Sequence, residues 1–120
     1  MLNLTVENIG ELAVVDCEGR ISQGQSALKL CEVVTSQTNA RIVVLELSGV
    51  RAIGGGGLGM LVSLQRWARK HHIRFLLFNP SKSVRDRLKR AKSVAEFYIP
   101  SLEEMRALLV YASSRYALVA

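Results

Sequence analysis

Four consecutive glycines, Gly54 to Gly57, are the feature of this 120-residue sequence most able to do chemistry. They follow an apolar run and precede residues with helical spacing, so they lie where a strand gives way to a helix. Such a turn exposes backbone N–H groups and the positive end of a helix dipole, which suits an anion. No Gly-Lys-Ser or Gly-Lys-Thr follows, so the pattern of a P-loop is missing. The run predicts either an anion site or a compact turn that passes close to the sheet and to a partner.

A basic run later in the chain predicts a second candidate surface. Its only acidic residue is Asp86, and its six cations occur within eleven residues: Lys82, Arg85, Arg87, Lys89, Arg90 and Lys92. It fits a solvated helix face, electrostatic steering toward an acidic protein, or non-specific attraction to nucleic acid. No aromatic residue interleaves with these cations, so we expect no specific nucleic-acid partner. The formal net charge of +6 favours an acidic partner.

Residue types that serve catalysis or metal binding are few and poorly spaced. Cys17 and Cys31 lack Cys-x-x-Cys spacing, and we expect two reduced, buried thiols. His71 and His72 are adjacent, so they point in different directions on a helix and form a poor metal pair; helix capping suits them better. No Gly-x-Ser-x-Gly motif is present. We therefore predict a non-enzyme without catalytic residues, metal or cofactor.

Hydrophobic periodicity predicts the elements that position these residues. Strands are predicted at residues 2–7, 12–17, 41–47, 73–78 and 94–99. Helices are predicted around residues 27–34, 60–68, 84–91 and 102–112. Ser101 and Glu104 form a capping box before the last helix. The order β-β-α-β-α-β-α-β-α indicates an α/β fold with a mixed sheet of about five strands and four helices.

Length and composition predict one domain over residues 1–120. No apolar run approaches the roughly 18–20 residues of a membrane-spanning helix, and the first residues do not resemble a signal peptide. We therefore expect a cytoplasmic protein without a membrane partner. The apolar C-terminal residues, among them Tyr111, Tyr116 and Leu118, are compatible with a homodimer.

Two segments resemble a known family. The run Val44–Val50, continued by Ile53 and Gly57–Leu61, looks like the signature of STAS domains, the fold of anti-sigma factor antagonists. Cys17–Ile21 resembles the second-strand exit of that family. The resemblance covers essentially the whole chain. It implies a STAS-like fold and a regulatory protein that binds an anti-sigma factor, a serine kinase-like protein, and so releases a sigma factor for transcription.

The glycines depart from the pattern of that family. The antagonists usually carry Asp-Ser-Ser or Asp-Ser-Thr before a glycine, and the hydroxyl nearest that glycine accepts a phosphate. By resemblance the aspartate falls on Gly54 and the phosphoacceptor on Gly56, which has no oxygen. Ser22 replaces an aspartate often found after the second-strand glycine, and Glu46 replaces another. The resemblance therefore implies a binding surface without its usual phosphorylation site.

The expected partner-binding surface combines the loop Ile53–Leu58, the start of the next helix and two polar residues beside it. Its residues are Ser22, Gln23, Ile53, Gly54, Gly55, Gly56, Gly57, Leu58 and Met60. The glycines would allow close backbone approach, while Leu58 and Met60 would supply apolar contact. The alternative is a ligand-sensing or scaffold STAS domain. It would bind a phosphate, nucleotide or lipid-type anion, or belong to a stress-signalling or transport assembly.

Overall fold

A computed structural model describes residues 2–91 and 97–119, with side chains through residue 113. Its elements are β1 (Leu2–Ile9), β2 (Leu12–Ile21), α1 (Gln25–Thr35), β3 (Ile42–Ile53), α2 (Gly55–Lys70), β4 (Arg74–Phe78), α3 (Lys82–Arg90) and α4 (Leu102–Val119). The described strands form one sheet in the order β1-β2-β3-β4. β1 is antiparallel to β2, whereas β2, β3 and β4 run parallel. The expected mixed α/β architecture with four helices is confirmed.

The fifth strand that the sequence predicts is not found among the described residues, and the predicted fold is corrected here. Residues 94–96 of the expected strand 94–99 lie outside the described part of the chain. In its described part, Tyr98 forms a single parallel bridge to Leu76, and its carbonyl accepts the Leu77 N–H at 3.0 Å. Pro100 follows closely and has no N–H to extend a ladder. The described sheet therefore has four strands, and the order differs from the expected one at this point.

The helices cover the two faces of the sheet unequally. Alternate β3 residues such as Val43 and Leu45 pack with α1, α2 and α3 in the larger core. Val44 points to the other face and packs with Met105 and Ala112 of α4. β3 is buried on both faces, as its nearly continuous apolar sequence predicts. No described helix is both long enough and apolar enough to cross a membrane.

Local signals in the sequence explain where α3 and α4 begin. The Ser81 hydroxyl accepts the Val84 N–H at 3.4 Å at the start of α3. The expected capping box before α4 is present. Ser101 N–H donates to the Glu104 carboxylate at 3.0 Å, and Glu104 N–H donates to the Ser101 hydroxyl at 3.1 Å. The Ser101 N–H, and then the donating hydroxyl of Tyr98, lowers the pKa of Glu104.

The two cysteines differ in environment. Cys17 is fully buried in β2, as expected, but Cys31 is only partly buried, so the expectation of two buried thiols is wrong for Cys31. Burial, followed by the negative charges of Asp16 and Glu46, raises the pKa of Cys17 from 9.0 to about 12. The thiol of Cys17 therefore stays protonated in the native protein under conditions in which an unfolded chain would release its proton.

We expect Cys17 to make the domain less stable as the pH rises above 9. Between pH 9 and 12 the unfolded chain loses the Cys17 proton while the native state keeps it. The contribution of Cys17 is thus fully present below pH 9 and falls by about 1.4 kcal/mol per pH unit above it. Urea unfolding at pH 8 and pH 10 measures this loss. A Cys17→Ala variant should show a smaller difference between the two pH values; an equal difference would contradict the assignment.

Candidate functional site

The glycine run lies where β3 meets α2, against the residues that follow β2. The Gly54 N–H donates to the Ile21 carbonyl at 2.9 Å, and the Leu58 N–H donates to the Gly54 carbonyl at 2.9 Å. Ile53 ends β3, Gly54 is the extended N-cap residue, and α2 begins at Gly55. The expected loop Ile53–Leu58 is therefore mostly the first turn of a helix. We call Gly54–Gly57 the glycine turn.

Close packing requires glycine at two of these four positions. A Cβ atom at position 57 would lie 2.1 Å from the Ile21 carbonyl oxygen. A Cβ atom at position 56 would lie 2.6 Å from the Cβ and 2.9 Å from the Cα of Gln23. Both separations are below normal van der Waals contact. The start of α2 therefore packs directly on the chain leaving β2, which larger residues would prevent.

The other two positions have room for a side chain. A Cβ atom at Gly54 would lie 3.6 Å from the Cβ of Ser22. At Gly55 the nearest atom is a terminal guanidinium nitrogen of Arg87, 4.0 Å away. Glycine at positions 54 and 55 is therefore not explained by packing within the domain. Gly55 leaves exposed bare backbone at the surface, whereas Gly54 is partly buried.

The structure brings most of the expected surface residues together but exposes them to different degrees. Gln23, Gly55 and Gly56 are exposed, whereas Ser22, Gly54, Leu58 and Met60 are partly buried. Ile53 and Gly57 are buried, so they support the surface from beneath. Leu58 and Met60 pack in part against the larger core. The accessible centre is thus main chain at the glycine turn, with Ser22 and Gln23 beside it.

The hydroxyl beside the glycine turn is held by a local hydrogen-bond network. The Ser22 and Ser26 hydroxyl oxygens are 3.2 Å apart. The Ser26 hydroxyl donates to the Ser22 carbonyl at 2.9 Å, and the Ser22 N–H donates to the Ser26 hydroxyl at 3.2 Å. This network orders the entry to α1, where the N-cap Gly24 supplies no side-chain bond. Ser22 lies beside Gly54, and Gln23 lies against Gly56.

Arg87 joins the basic run to the glycine turn, a link that the sequence did not indicate. Its Nε donates to the Ile53 carbonyl at 3.4 Å. One of its terminal nitrogens lies 4.0 Å from the place that a Cβ atom at position 55 would take. The buried face of α3 carries Val84 and Leu88. Its exposed cations are Lys82, Arg85, Lys89 and Arg90. Lys92 lies outside the described residues. The role of Arg87 follows from the packing of α3 beside β3. The spacing of the cations in the sequence does not distinguish Arg87 from the others.

Positive charge is poorly compensated in this region. Among the residues whose side chains are described, the one ion pair joins Arg41 and Glu11 at 3.4 Å, away from α3. The first turn of α2 carries neither an acidic side chain nor a side-chain cap. The positive end of the α2 dipole therefore adds to the charge of the neighbouring α3 cations. The combined surface is suited to a negatively charged partner.

The histidines and cysteines form no described metal site. No group of three or more His, Cys, Asp or Glu residues capable of holding a metal occurs in the described part of the chain. His71 is the C-cap residue of α2, and its Nδ1 lies 2.8 Å from the Trp67 carbonyl oxygen. Its ring also stacks on Trp67 with the centroids 4.8 Å apart. His71 therefore lies at the helix end where capping was expected.

A serine at position 56 should cost stability. Its Cβ would lie 2.6 Å from the Cβ and 2.9 Å from the Cα of Gln23, so the backbone near residue 23 must move. We expect Gly56→Ser to lower the free energy of unfolding by about 1–3 kcal/mol. Gly55→Ser is the matched control, because its nearest neighbour is the flexible end of Arg87 at 4.0 Å. Urea unfolding compares them; equal stabilities would contradict the packing argument.

Comparison with a family model and with solved structures shows which known proteins this chain is similar to. The family model described as STAS domain matches residues 3–106. An anti-sigma factor antagonist from Mycobacterium paratuberculosis has 19% identity and a TM-score of 0.73, covering 91% of this chain and 94% of that chain. The unphosphorylated anti-sigma factor antagonist SpoIIAA has 14% identity and a TM-score of 0.67, covering 88% of this chain and 94% of its own. SpoIIAA, a Bacillus protein, also matches in its phosphorylated form.

The same fold is found inside a much longer protein. SLC26A9 has 13% identity and a TM-score of 0.68, covering 93% of this chain but 21% of that chain. No curated protein sequence matches the chain. At these identities the solved structures show a shared fold, and the family model covers most of the sequence. The protein therefore belongs to the STAS domain family.

Proposed function

We propose that this chain is a regulatory protein-binding module of the anti-sigma factor antagonist type. It docks on an anti-sigma factor, a serine kinase-like protein, and so frees a sigma factor for transcription. The likeness to SpoIIAA and to the mycobacterial antagonist supports this partner class. The single observation that carries the proposal is the exposed main chain of Gly55 and Gly56 at the start of α2. In this proposal the chain acts as one domain in the cytoplasm and is not an enzyme.

The proposed contact surface is centred on the glycine turn. Gly55 has room in front of its bare backbone and allows a partner backbone to approach closely. The exposed main chain of Gly56 and the exposed amide of Gln23 lie beside it. Leu58 and Met60 contribute the apolar area that they leave exposed. A few well-placed contacts of this kind usually dominate an interface.

The surface lacks the usual means of being switched off. A phosphate brings roughly −1.5 to −2 charges and three acceptor oxygens, enough to disrupt docking. The glycine turn has no hydroxyl to receive one, and the nearby Ser22 hydroxyl is engaged with Ser26. We therefore propose that the surface remains permanently competent to bind. Phosphate on Ser48 or Ser63 would place the switch elsewhere.

The α3 cations are proposed to attract an acidic partner, with one side of α3 making contact. Arg87 and Arg90 are three residues apart and therefore share a side of the helix, the side on which Arg87 reaches Gly55. Lys82, Arg85 and Lys89 lie further round the helix. The first pair should affect the lifetime of a complex, and the second group mainly its rate of formation.

We expect Arg90→Glu to weaken partner binding about tenfold more than Lys89→Glu, although both change the charge by the same amount. Surface plasmon resonance with the purified partner measures the association and dissociation rates. Arg90→Glu should accelerate dissociation, whereas Lys89→Glu should slow association at low salt and lose that effect at high salt. Equal effects of the two variants on each rate would contradict the division of the α3 cations into two groups, and no effect of either variant would leave these cations as a solvated helix face.

The second candidate is a ligand-sensing or scaffold STAS domain, part of a stress-signalling or transport assembly. The match to a short part of SLC26A9 supports it only in that this fold also occurs within a larger chain. Calorimetry with ATP, GTP and inorganic phosphate addresses an anion at the glycine turn. The absence of a heat of binding at millimolar ligand would exclude anion binding at the glycine turn.

Affinity capture from the cytosol of the source cell tests the proposed function. The wild-type domain should retain a kinase-fold protein that mass spectrometry identifies as an anti-sigma factor. Gly55→Asp should lose that protein, because it adds a carboxylate at the centre of the surface. Ser63→Asp adds the same group two turns further along α2 and should retain it. Capture of the same proteins by all three would contradict docking at the glycine turn.

A further inference from the structure

A pocket of about 510 Å³ lies at the opposite end of the sheet from the glycine turn. It opens beside the residues at which β2, β3 and β4 begin and lies next to α4. Its volume is within the range of roughly 300–1,000 Å³ typical of small-molecule sites. The residues that line it are Gly10, Glu11, Leu12, Arg41, Ile42, His72, Arg74, Leu108, Tyr111 and Ala112.

The inner surface of the pocket is apolar. Leu12 and Ala112 are buried, while Ile42 and Leu108 are partly buried beside them. All four belong to or pack against the smaller core between the sheet and α4. Only this one helix of the described part covers that face, so space remains between α4 and the first residues of the strands. This lining can take an apolar chain or ring out of water.

The mouth of the pocket carries more positive than negative groups. Arg41 and Arg74 are exposed at the adjoining starts of β3 and β4, and the Arg74 N–H donates to the Arg41 carbonyl at 2.9 Å. His72 lies just before β4. Glu11 is the only carboxylate of the lining and pairs with Arg41 through one contact of 3.4 Å between highly exposed side chains. A screened surface pair of this kind is weak, so an anion can compete for Arg41.

A second carboxylate lies within the electrostatic reach of Arg74. The positive charge of Arg74 contributes to the lowered pKa of Glu104 at the start of α4. The Glu104 oxygens, however, accept hydrogen bonds from the Ser101 N–H and the Tyr98 hydroxyl, and Glu104 does not line the pocket. Among the described side chains, Arg74 forms no ion pair with a carboxylate, so its charge is available to a ligand at the mouth of the pocket.

The geometry points to a binding site for a small amphiphilic anion, a carboxylate or phosphate carried on a short apolar chain or ring. The anionic head lies at the mouth of the pocket beside Arg41 and Arg74, because guanidinium groups match planar or tetrahedral oxyanions. The apolar part enters along Leu12, Leu108 and Ala112. A free phosphate lacks the apolar part, and a neutral chain lacks the head, so each uses half of the site. This site is separate from the proposed docking surface and does not depend on it.

Calorimetry on the full chain with octanoate, octyl phosphate, 1-octanol and inorganic phosphate tests the site. The two amphiphilic anions should bind with submillimolar dissociation constants and at least tenfold more tightly than octanol or phosphate. Arg74→Gln should weaken the binding of octanoate at least tenfold and leave the affinity for octanol unchanged. Arg51→Gln removes the same charge near the other end of β3 and should have no effect. A parallel arm with phosphatidylglycerol vesicles separates a lipid source from a free acid, and either source supports the site.

Amide chemical shifts of the wild-type protein locate the bound octanoate without relying on a variant. The site predicts shifts confined to residues around 10–12, 41–42, 72–74 and 108–112. No binding of either amphiphilic anion at millimolar concentration would overturn the inference. Shifts centred on the glycine turn, or binding unaffected by Arg74→Gln, would also overturn it. None of these outcomes depends on whether an anti-sigma factor is captured.

Discussion

Replacing Gly57 with alanine should lower the free energy of unfolding by about 3 kcal/mol, since overpacking a tight site costs about this much. The new Cβ would lie 2.1 Å from the Ile21 carbonyl oxygen and 2.6 Å from the carbonyl carbon. Those are backbone atoms at the end of β2, so no side-chain rotation relieves the overlap. The Gly54 N–H donates to the same Ile21 carbonyl, and any shift also disturbs this bond.

Gly59→Ala is the matched control for that substitution. It lies two residues further along α2, and a Cβ atom there has no neighbour within 4 Å. Alanine is favoured over glycine within a helix by roughly 0.5–1 kcal/mol, so this variant should be more stable than wild type. Urea unfolding of both variants measures the difference. Equal stabilities would show that α2 does not pack on residue 21 as described.

Gly55→Asp should weaken binding of the anti-sigma factor partner about 100-fold, equivalent to about 2.7 kcal/mol. Position 55 is exposed, and its Cβ would approach only the Arg87 guanidinium, so the domain should fold normally. A carboxylate is also favourable at the start of a helix. The side chain would occupy the space that a partner backbone needs and pair with Arg87. The loss therefore reports docking and not unfolding.

Two measurements separate these effects. Isothermal calorimetry with the captured and purified partner gives the affinity of wild type, Gly55→Asp and Ser63→Asp. Urea unfolding shows whether all three are equally folded. Wild-type affinity in Gly55→Asp would place the contact surface elsewhere on the domain, whatever partner is bound.

The sequence predicted the strands and helices where one physical signal dominates. Alternation along Leu2–Glu7 predicted β1, and the apolar run from Arg41 predicted a strand buried on both faces. The Ser101 and Glu104 pattern predicted a capping box because both partners lie in one local segment. The prediction of a fifth strand was wrong because a short apolar run does not indicate how many hydrogen bonds its backbone makes with a neighbouring strand. Its described part forms one bridge, at Tyr98.

The details of the site depended on contacts between distant segments. The sequence predicted a loop at the glycines, where a strand gives way to a helix. The close approach of Gln23 and Ile21 instead makes glycine the residue that permits a helix there. The role of Arg87 depends on a carbonyl 34 residues away in the sequence, at Ile53. The pocket near Arg74 arises where four separate segments meet. Periodicity within one segment carries no information on such meetings.

Incubation of the purified wild-type complex with ATP and Mg²⁺ tests the central claim most directly. Native mass spectrometry reports both the integrity of the complex and the mass of the domain. We predict that the domain gains no phosphate and stays bound to the anti-sigma factor, because the glycine turn has no hydroxyl. Release of the domain with the added mass of a phosphate group would contradict a permanently competent docking surface.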